Sequence, residues 1–271
     1  EFPHLQRVNL SGNELKDVKA LAALKGLRKL DVSNNRLTEF LGITPLQRGL
    51  THVNYSGNSI KSFGDLSGVP YLTHLVIRGN ELEDLTPLNT CTNLTYVDVS
   101  NNKLQDITSL DLPRLDYFNA SGNKLTFLTE FKLHPRLQTL ILAQNKINSL
   151  HGLHHQESLT YLDLENNEMN TVFQLMELRN LNNLRTLDLS KNPVNETEDY
   201  KLKALYLLPS LTMLDAKTTT AKEKVDAANL NGVDQPVKKA ILRHFLPHGD
   251  HTSESSRYLH RTRMDMAEYV E

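Results

Sequence analysis

Apolar and polar residues alternate along most of this 271-residue chain in one recurring order, L-x-x-L-x-L-x-x-N-x-L. The order begins at Leu5, Leu27, Leu50, Leu72, Leu94, Leu115, Leu137, Leu159 and Leu184, and a truncated copy begins at Leu211. Successive starts lie 22, 23, 22, 22, 21, 22, 22, 25 and 27 residues apart, so one supersecondary unit is reused at nearly constant period. In LTYVDVSNNKL, residues 94–104, the period-two alternation around Val97 and Val99 predicts a short strand with those side chains inward and Tyr96 and Asp98 facing out. Stacked in parallel, such strands make a curved sheet. An asparagine follows each strand, at Asn13, Asn35, Asn58, Asn80, Asn102, Asn123, Asn145, Asn167 and Asn192. A buried amide must be paired, and one placed here can serve backbone groups of its own turn and of an adjacent one. The second half of each copy, such as QDITSLDLP at residues 105–113, is too short for a full α-helix and predicts 3₁₀ turns and extended segments on the convex side.

The last copies are longer. Three extra residues around 173–180 and five around 196–208 leave room for real helices, the second reading ETEDYKLKALYLL with Leu202, Leu205 and Leu208 at helical spacing. A solenoid needs such an element to cover its last leucines. Past Asp215 the repeat stops. Thr220 and Glu223 stand at capping-box spacing for a helix over about 221–230. Asp234, Pro236 and Pro247 bracket a second helix, with Val237, Ile241 and Phe245 on one face. The expected organisation is a repeat domain with its cap at 1–218, a helical extension at 219–248 and a polar tail at 249–271. The tail is too polar to pack by itself and is expected to lie against the body or a neighbouring chain. No cap precedes the first copy, which leaves Leu5, Val8 and Leu10 to be covered by an upstream segment or a neighbour.

Composition follows from this pattern. The chain holds 49 Leu and 25 Asn against no Trp and one Cys, because leucine and asparagine fill the inward and turn positions of every copy. A net charge of −2 lacks the cation excess of a general nucleic-acid binder, so nucleic acid is not the expected partner. No apolar run reaches the ~18 residues of a membrane span, and no membrane association is expected. Phosphate loops, nucleophile elbows, zinc-protease helices and dinucleotide fingerprints are absent. Cys91 reads as a packed small side chain. The histidine groups His151, His154, His155 and His244, His248, His251 lack a regular ligand spacing. The chain is therefore expected to be no enzyme, with no cofactor, no metal and no small-molecule substrate. Of five N-x-S/T sequons, those at Asn9, Asn54 and Asn119 fall at one repeated position and read as by-products of the repeat.

The repeat fixes which residues face the concave side. One column runs Arg7, Lys29, His52, His74, Tyr96, Tyr117, Thr139, Tyr161, Thr186 and Met213. Its neighbour runs Asn9, Asp31, Asn54, Val76, Asp98, Asn119, Ile141, Asp163, Asp188 and Asp215, with Glu165 in the next column out. Early copies present basic or titratable groups and late copies present acids. Between them stands a band of Val76, Tyr96, Tyr117, Ile141 and Tyr161. Tyrosines beside aliphatics and rimmed by acids suit a protein-binding hot spot. Strand propensity also favours aromatic and β-branched residues, and the acids could equally be a solvated face. The candidate partner-binding residues are Val76, Tyr96, Asp98, Tyr117, Ile141, Tyr161, Asp163, Glu165 and Asp188, with protein partners expected on the concave face and along the C-terminal tail.

The copies and their SxN turn resemble the short-repeat subfamily of intracellular leucine-rich-repeat proteins that includes the regulator of protein phosphatase 1. NPVNETEDYKLKALYLLPSLTMLD is similar to the cap shared by that regulator, the spliceosomal A-prime protein and outer-arm dynein light chain 1. HPRLQTLILAQNKI, with LDLPRLDYFNASGNKL before it, resembles the leucine-rich-repeat protein of radial spokes in motile cilia. The resemblance implies an α/β leucine-rich-repeat solenoid: a horseshoe with a concave parallel sheet of about ten strands, a mostly 3₁₀ or extended convex side and a helical C-terminal cap. It implies an adaptor in an intracellular assembly, most plausibly a ciliary axoneme. The alternative is a regulatory subunit that binds a phosphatase catalytic subunit through the concave face. Extracellular members usually carry Cys-rich caps, so with Cys91 alone a reducing, cytoplasmic compartment is expected.

Overall fold

The computed structural model describes residues 4–41, 49–129 and 131–229. The helix expected within 234–247, the polar tail 249–271 and His244, His248 and His251 lie outside them. Eleven short strands form one sheet in sequence order. They are β1 (Arg7–Asn9), β2 (Lys29–Asp31), β3 (His52–Asn54), β4 (His74–Val76), β5 (Tyr96–Asp98), β6 (Tyr117–Asn119), β7 (Thr139–Ile141), β8 (Tyr161–Asp163), β9 (Thr186–Asp188), β10 (Met213–Leu214) and β11 (Lys217–Thr218). Strands β1 to β10 pair in parallel and without slippage, each repeat position facing its equivalent in the next copy. The ten expected strands are these. The eleventh turns back antiparallel on β10, through Asp215 and Ala216 at φ +51 and +58. Two consecutive left-handed residues make the tight hairpin that closes the edge of the sheet.

The central residue of each strand points inward. Leu30, Val53, Leu75, Val97, Phe118, Leu140, Leu162 and Leu187 are all buried, and the leucines of the following turn and convex segment stack behind them in one continuous core. Tyr55 and Ala120, which replace inward aliphatics, are both fully buried.

The asparagine row joins the copies. Asn102 Nδ2 donates to Val99 O and Ser100 O in its own turn and to Ile77 O in the preceding copy, while its Oδ1 accepts from Leu82 N. Asn35, Asn58, Asn80, Asn123, Asn145, Asn167 and Asn192 repeat the arrangement. The residue before each asparagine is left-handed: Gly12, Asn34, Gly57, Gly79, Asn101, Gly122, Gln144, Asn166 and Lys191 all have positive φ. At Gly122 a side chain would also press on Asn101 Oδ1, which would have to move aside.

The convex side is made of turns, extended chain and 3₁₀ segments at Lys19–Ala23, Thr86–Thr90, Val172–Leu178 and Pro193–Glu196. The first of the two long inserts was expected to hold a real helix and instead forms the seven-residue 3₁₀ turn Val172–Leu178. Its buried residues Val172, Leu175 and Leu178 recur every third position, which is the 3₁₀ period and not the α one. The second insert does form an α-helix, α1 (Tyr200–Leu207), burying Tyr200, Ala204 and Leu205, with Leu208 buried at its end. Helix α2 (Ala221–Asn229) packs on α1. Its start carries the expected capping box, Glu223 N donating to Thr220 Oγ1 at 3.2 Å and Thr220 N to Glu223 Oε2 at 2.8 Å. Lys201 reaches across from α1 to Glu223 at 2.6 Å.

Candidate functional site: the concave sheet face

Parallel in-register strands place equivalent side chains about 4.8 Å apart, close to the thickness of a stacked aromatic pair. The outward column on β3 to β6 uses this. His52 and His74 stack at 4.1 Å with their planes 9° apart, His74 and Tyr96 lie at 5.7 Å, and Tyr96 and Tyr117 stack at 4.2 Å and 3°. The result is one aromatic row across four copies. Its imidazole half extends beyond the tyrosines singled out from sequence, and the signal for it was the shared column. Thr139 on β7 interrupts the row, so Tyr161 stands apart from Tyr96 and Tyr117.

Tyr161 belongs to an acidic group. Burial raises its phenol pKa, and Asp163, Asp188 and Glu165 raise it further. Asp163 is itself raised, first by burial and then by Asp188 and Glu165, against a hydrogen bond from Glu165 N that lowers it. Lys191 pairs with Glu165 at 2.6 Å and partly neutralises the group. Burial and the Tyr96 hydroxyl push the Tyr117 phenol well above its ordinary range. Val76 and Ile141 are half-buried on the same sheet face.

Many of the acids and amides in the second column are also structural. Asp31 Oδ1 accepts from Ser33 N and Oγ, and Asp98 and Asp188 treat Ser100 and Ser190 in the same way. Asn9, Asn54 and Asn119 make the equivalent bond to the residue two on. The recurring D/N-x-S spacing is thus an Asx-turn that starts the bend wherever an acid or amide stands in this column, which accounts for three of the sequons. Asp98 is only 8% exposed and, among the nine candidate residues, offers a partner the least surface. Asp215 closes the column, accepting from Leu189 N, the Tyr200 hydroxyl and Asn195 Nδ2.

Cys91 is fully buried, and burial raises its thiol pKa. On the convex side His151 Nδ1 and His154 Nδ1 lie 3.6 and 3.8 Å from Glu177 Oε2. Among the described residues no group of three or more His, Cys, Asp or Glu is placed to hold a metal ion, and no helix is long and apolar enough to cross a membrane.

Residues 96–240 match a family model described as leucine-rich repeat, and residues 3–47 match one for two copies of such repeats. The U2 small nuclear ribonucleoprotein A' of Aspergillus fumigatus is 33% identical over 119 residues, which cover 43% of this chain and 47% of that protein. Leucine-rich repeat-containing protein 23 of Xenopus tropicalis is 38% identical over 93 residues, covering 34% of this chain and 27% of the relative. The chain thus matches about half or less of the length of these relatives. Among solved structures, a leucine-rich-repeat protein of Leptospira interrogans superposes with a TM-score of 0.66 at 26% identity, covering 77% of this chain and 54% of the other.

Proposed function

The chain belongs to the leucine-rich-repeat family, and we propose that it is a non-enzymatic protein-interaction scaffold whose partner seats on the concave sheet face. The observation that carries this reading is the aromatic row ending at Tyr96 and Tyr117, with Tyr161 and the acids Asp163, Glu165 and Asp188 beyond it. Stacked rings already hold one conformation, so a partner covering them loses little side-chain entropy, and the acids set its register. The tail at 249–271 is the second proposed contact. The finer reading is an adaptor in the ciliary axoneme, supported by the resemblance of residues 134–147 to the radial-spoke protein. A second reading, a subunit of a nuclear ribonucleoprotein, is favoured by the identity with U2 A' proteins.

The test is a photo-crosslinking amino acid at Thr139, between the two tyrosine groups, with axonemal and nuclear extracts offered separately. One protein is expected to crosslink, and Tyr96→Ala with Tyr117→Ala should lower its capture by about tenfold or more in a chain that its urea transition shows to be still folded. Axonemal origin of that protein supports the ciliary reading, and nuclear origin supports the other. Capture that survives the double substitution but is lost on deleting residues 249–271 would move the partner off the concave face.

A further inference from the structure

The opposite wing of the same face has its own chemistry. Arg7, Lys29, His52, His74 and Tyr96 border an open concavity of about 520 Å³ over strands β1 to β5. Neither Arg7 nor Lys29 has an ion-pair partner among the described residues. The nearest carboxylate column offers Asp31, whose Oδ1 is held by Ser33 and whose Oδ2 accepts from Asn54 Nδ2 at 3.2 Å. Asp31 also lines the concavity, so its carboxylate offsets one of the two cations, and the wing keeps a net positive charge before either imidazole is protonated.

The two imidazoles are oriented by their neighbours. Thr51 Oγ1 lies 3.1 Å from Arg28 O and 2.9 Å from His52 Nδ1. In the imidazolium both ring nitrogens donate, so His52 Nδ1 then gives its proton to the hydroxyl, which turns its own toward Arg28 O. Thr73 repeats the arrangement between Thr51 O and His74 Nδ1, at 3.1 and 2.9 Å. Each protonated ring is thus held by its threonine through Nδ1 and keeps Nε2–H to donate to another acceptor. Burial lowers both pKa values. At His52 the neighbouring His74, Lys29 and Arg7 lower it further, and at His74 Lys29 does. An added anion would relieve that repulsion.

We infer that strands β1 to β4 form a docking site for an acidic segment of a protein partner, its carboxylates seated on Arg7 and Lys29. Acidification tightens the contact, because His52 and His74 each take up a proton from solvent and the imidazolium Nε2–H donates to a carboxylate. With Asp163 and Asp188 at the far end of the sheet, the same charge distribution fixes the direction in which the partner lies. The inference rests on the sheet face being the partner surface and adds the chemistry and pH dependence of one half of it.

The probe is a fluorescent decaglutamate peptide, titrated by anisotropy against the full chain from about pH 8 to about pH 6 at low salt. Affinity should rise by about tenfold or more over that range, since each proton taken up on binding contributes up to tenfold per pH unit. Arg7→Glu with Lys29→Glu should weaken binding at every pH. His52→Gln with His74→Gln should keep the binding seen near pH 8 and remove its pH dependence, and the His52 and His74 ring resonances should shift on adding peptide. Urea midpoints of the variants check that each is folded. Binding that ignores the charge reversal, or a pH dependence that survives in the histidine variant, overturns the inference. So does a uridine decamer that binds where decaglutamate does not. If decaglutamate fails while Tyr96→Ala with Tyr117→Ala still weakens capture of the crosslinked protein, the docking inference falls and the scaffold reading stands. If both fail, the face itself is wrong.

Discussion

Asn102 measures what one side chain contributes to the stack. Four backbone groups in two copies bond its amide, and alanine would leave Leu82 N buried and unpaired and strip one donor from each of the three carbonyls, which keep Asn80, Asn123 and Gly79 N. Asn102→Ala should cost roughly 2–4 kcal/mol. Asn13, exposed in the first copy and bonded among the described residues only within its own turn, should cost less than about 1 kcal/mol when replaced in the same way. Urea midpoints of the two variants at unchanged m-value decide it, and equal losses would remove the ladder as a source of stability. His134 makes a second test. It is 1% exposed, stacked on Phe131 at 4.8 Å, and has no hydrogen-bond partner at either ring nitrogen among the described residues. Burial lowers its pKa. Above about pH 6.5 the folded and unfolded chains are both neutral there, whereas below it the unfolded chain binds a proton that the fold resists, so stability is lost as pH falls. His52 and His74 act with the same sign, so the diagnostic quantity is a difference. Between about pH 7.5 and pH 5.5, His134→Phe should lose less stability than the parent chain, and identical losses would exclude His134 as a cause.

At the scale of elements, the terminal cap is where local sequence and tertiary demand meet. Helix α1 closes the open end of the core through Ala204, Leu205 and Leu208. In a stack held by nearest neighbours, weakening the cap should loosen the adjacent copies before the central ones. Leu205→Ala should cost about 2–4 kcal/mol. Hydrogen exchange should accelerate first in β9 and β10 while β4 to β6 remain protected. Uniform acceleration would mean that the array unfolds as one unit. The two long inserts show how far sequence carries at this scale. Leu202, Leu205 and Leu208 marked α1 correctly, although Tyr200 and Ala204 supply part of its buried face. The other insert had room for an α-helix, yet Val172, Leu175 and Leu178 reach the core together only when wound at three residues per turn.

For the whole molecule, the strand positions, the register and the inward leucines were legible because a period of about 22 residues overrides local ambiguity. The outward columns were legible as residue lists but not as geometry. Ring stacking between His52 and His74 depends on strand spacing, and Asp98 is withdrawn from the surface by the turn it anchors. The hairpin at Asp215 and Ala216 was invisible for another reason, since neither residue favours a left-handed backbone as glycine does. The asparagine ladder has a direction. From Asn35 to Asn192 each amide donates to a carbonyl of the preceding copy and accepts from that copy's N–H. A nascent chain leaves the ribosome N-terminus first, so each newly synthesised copy finds the groups its asparagine needs already emerged.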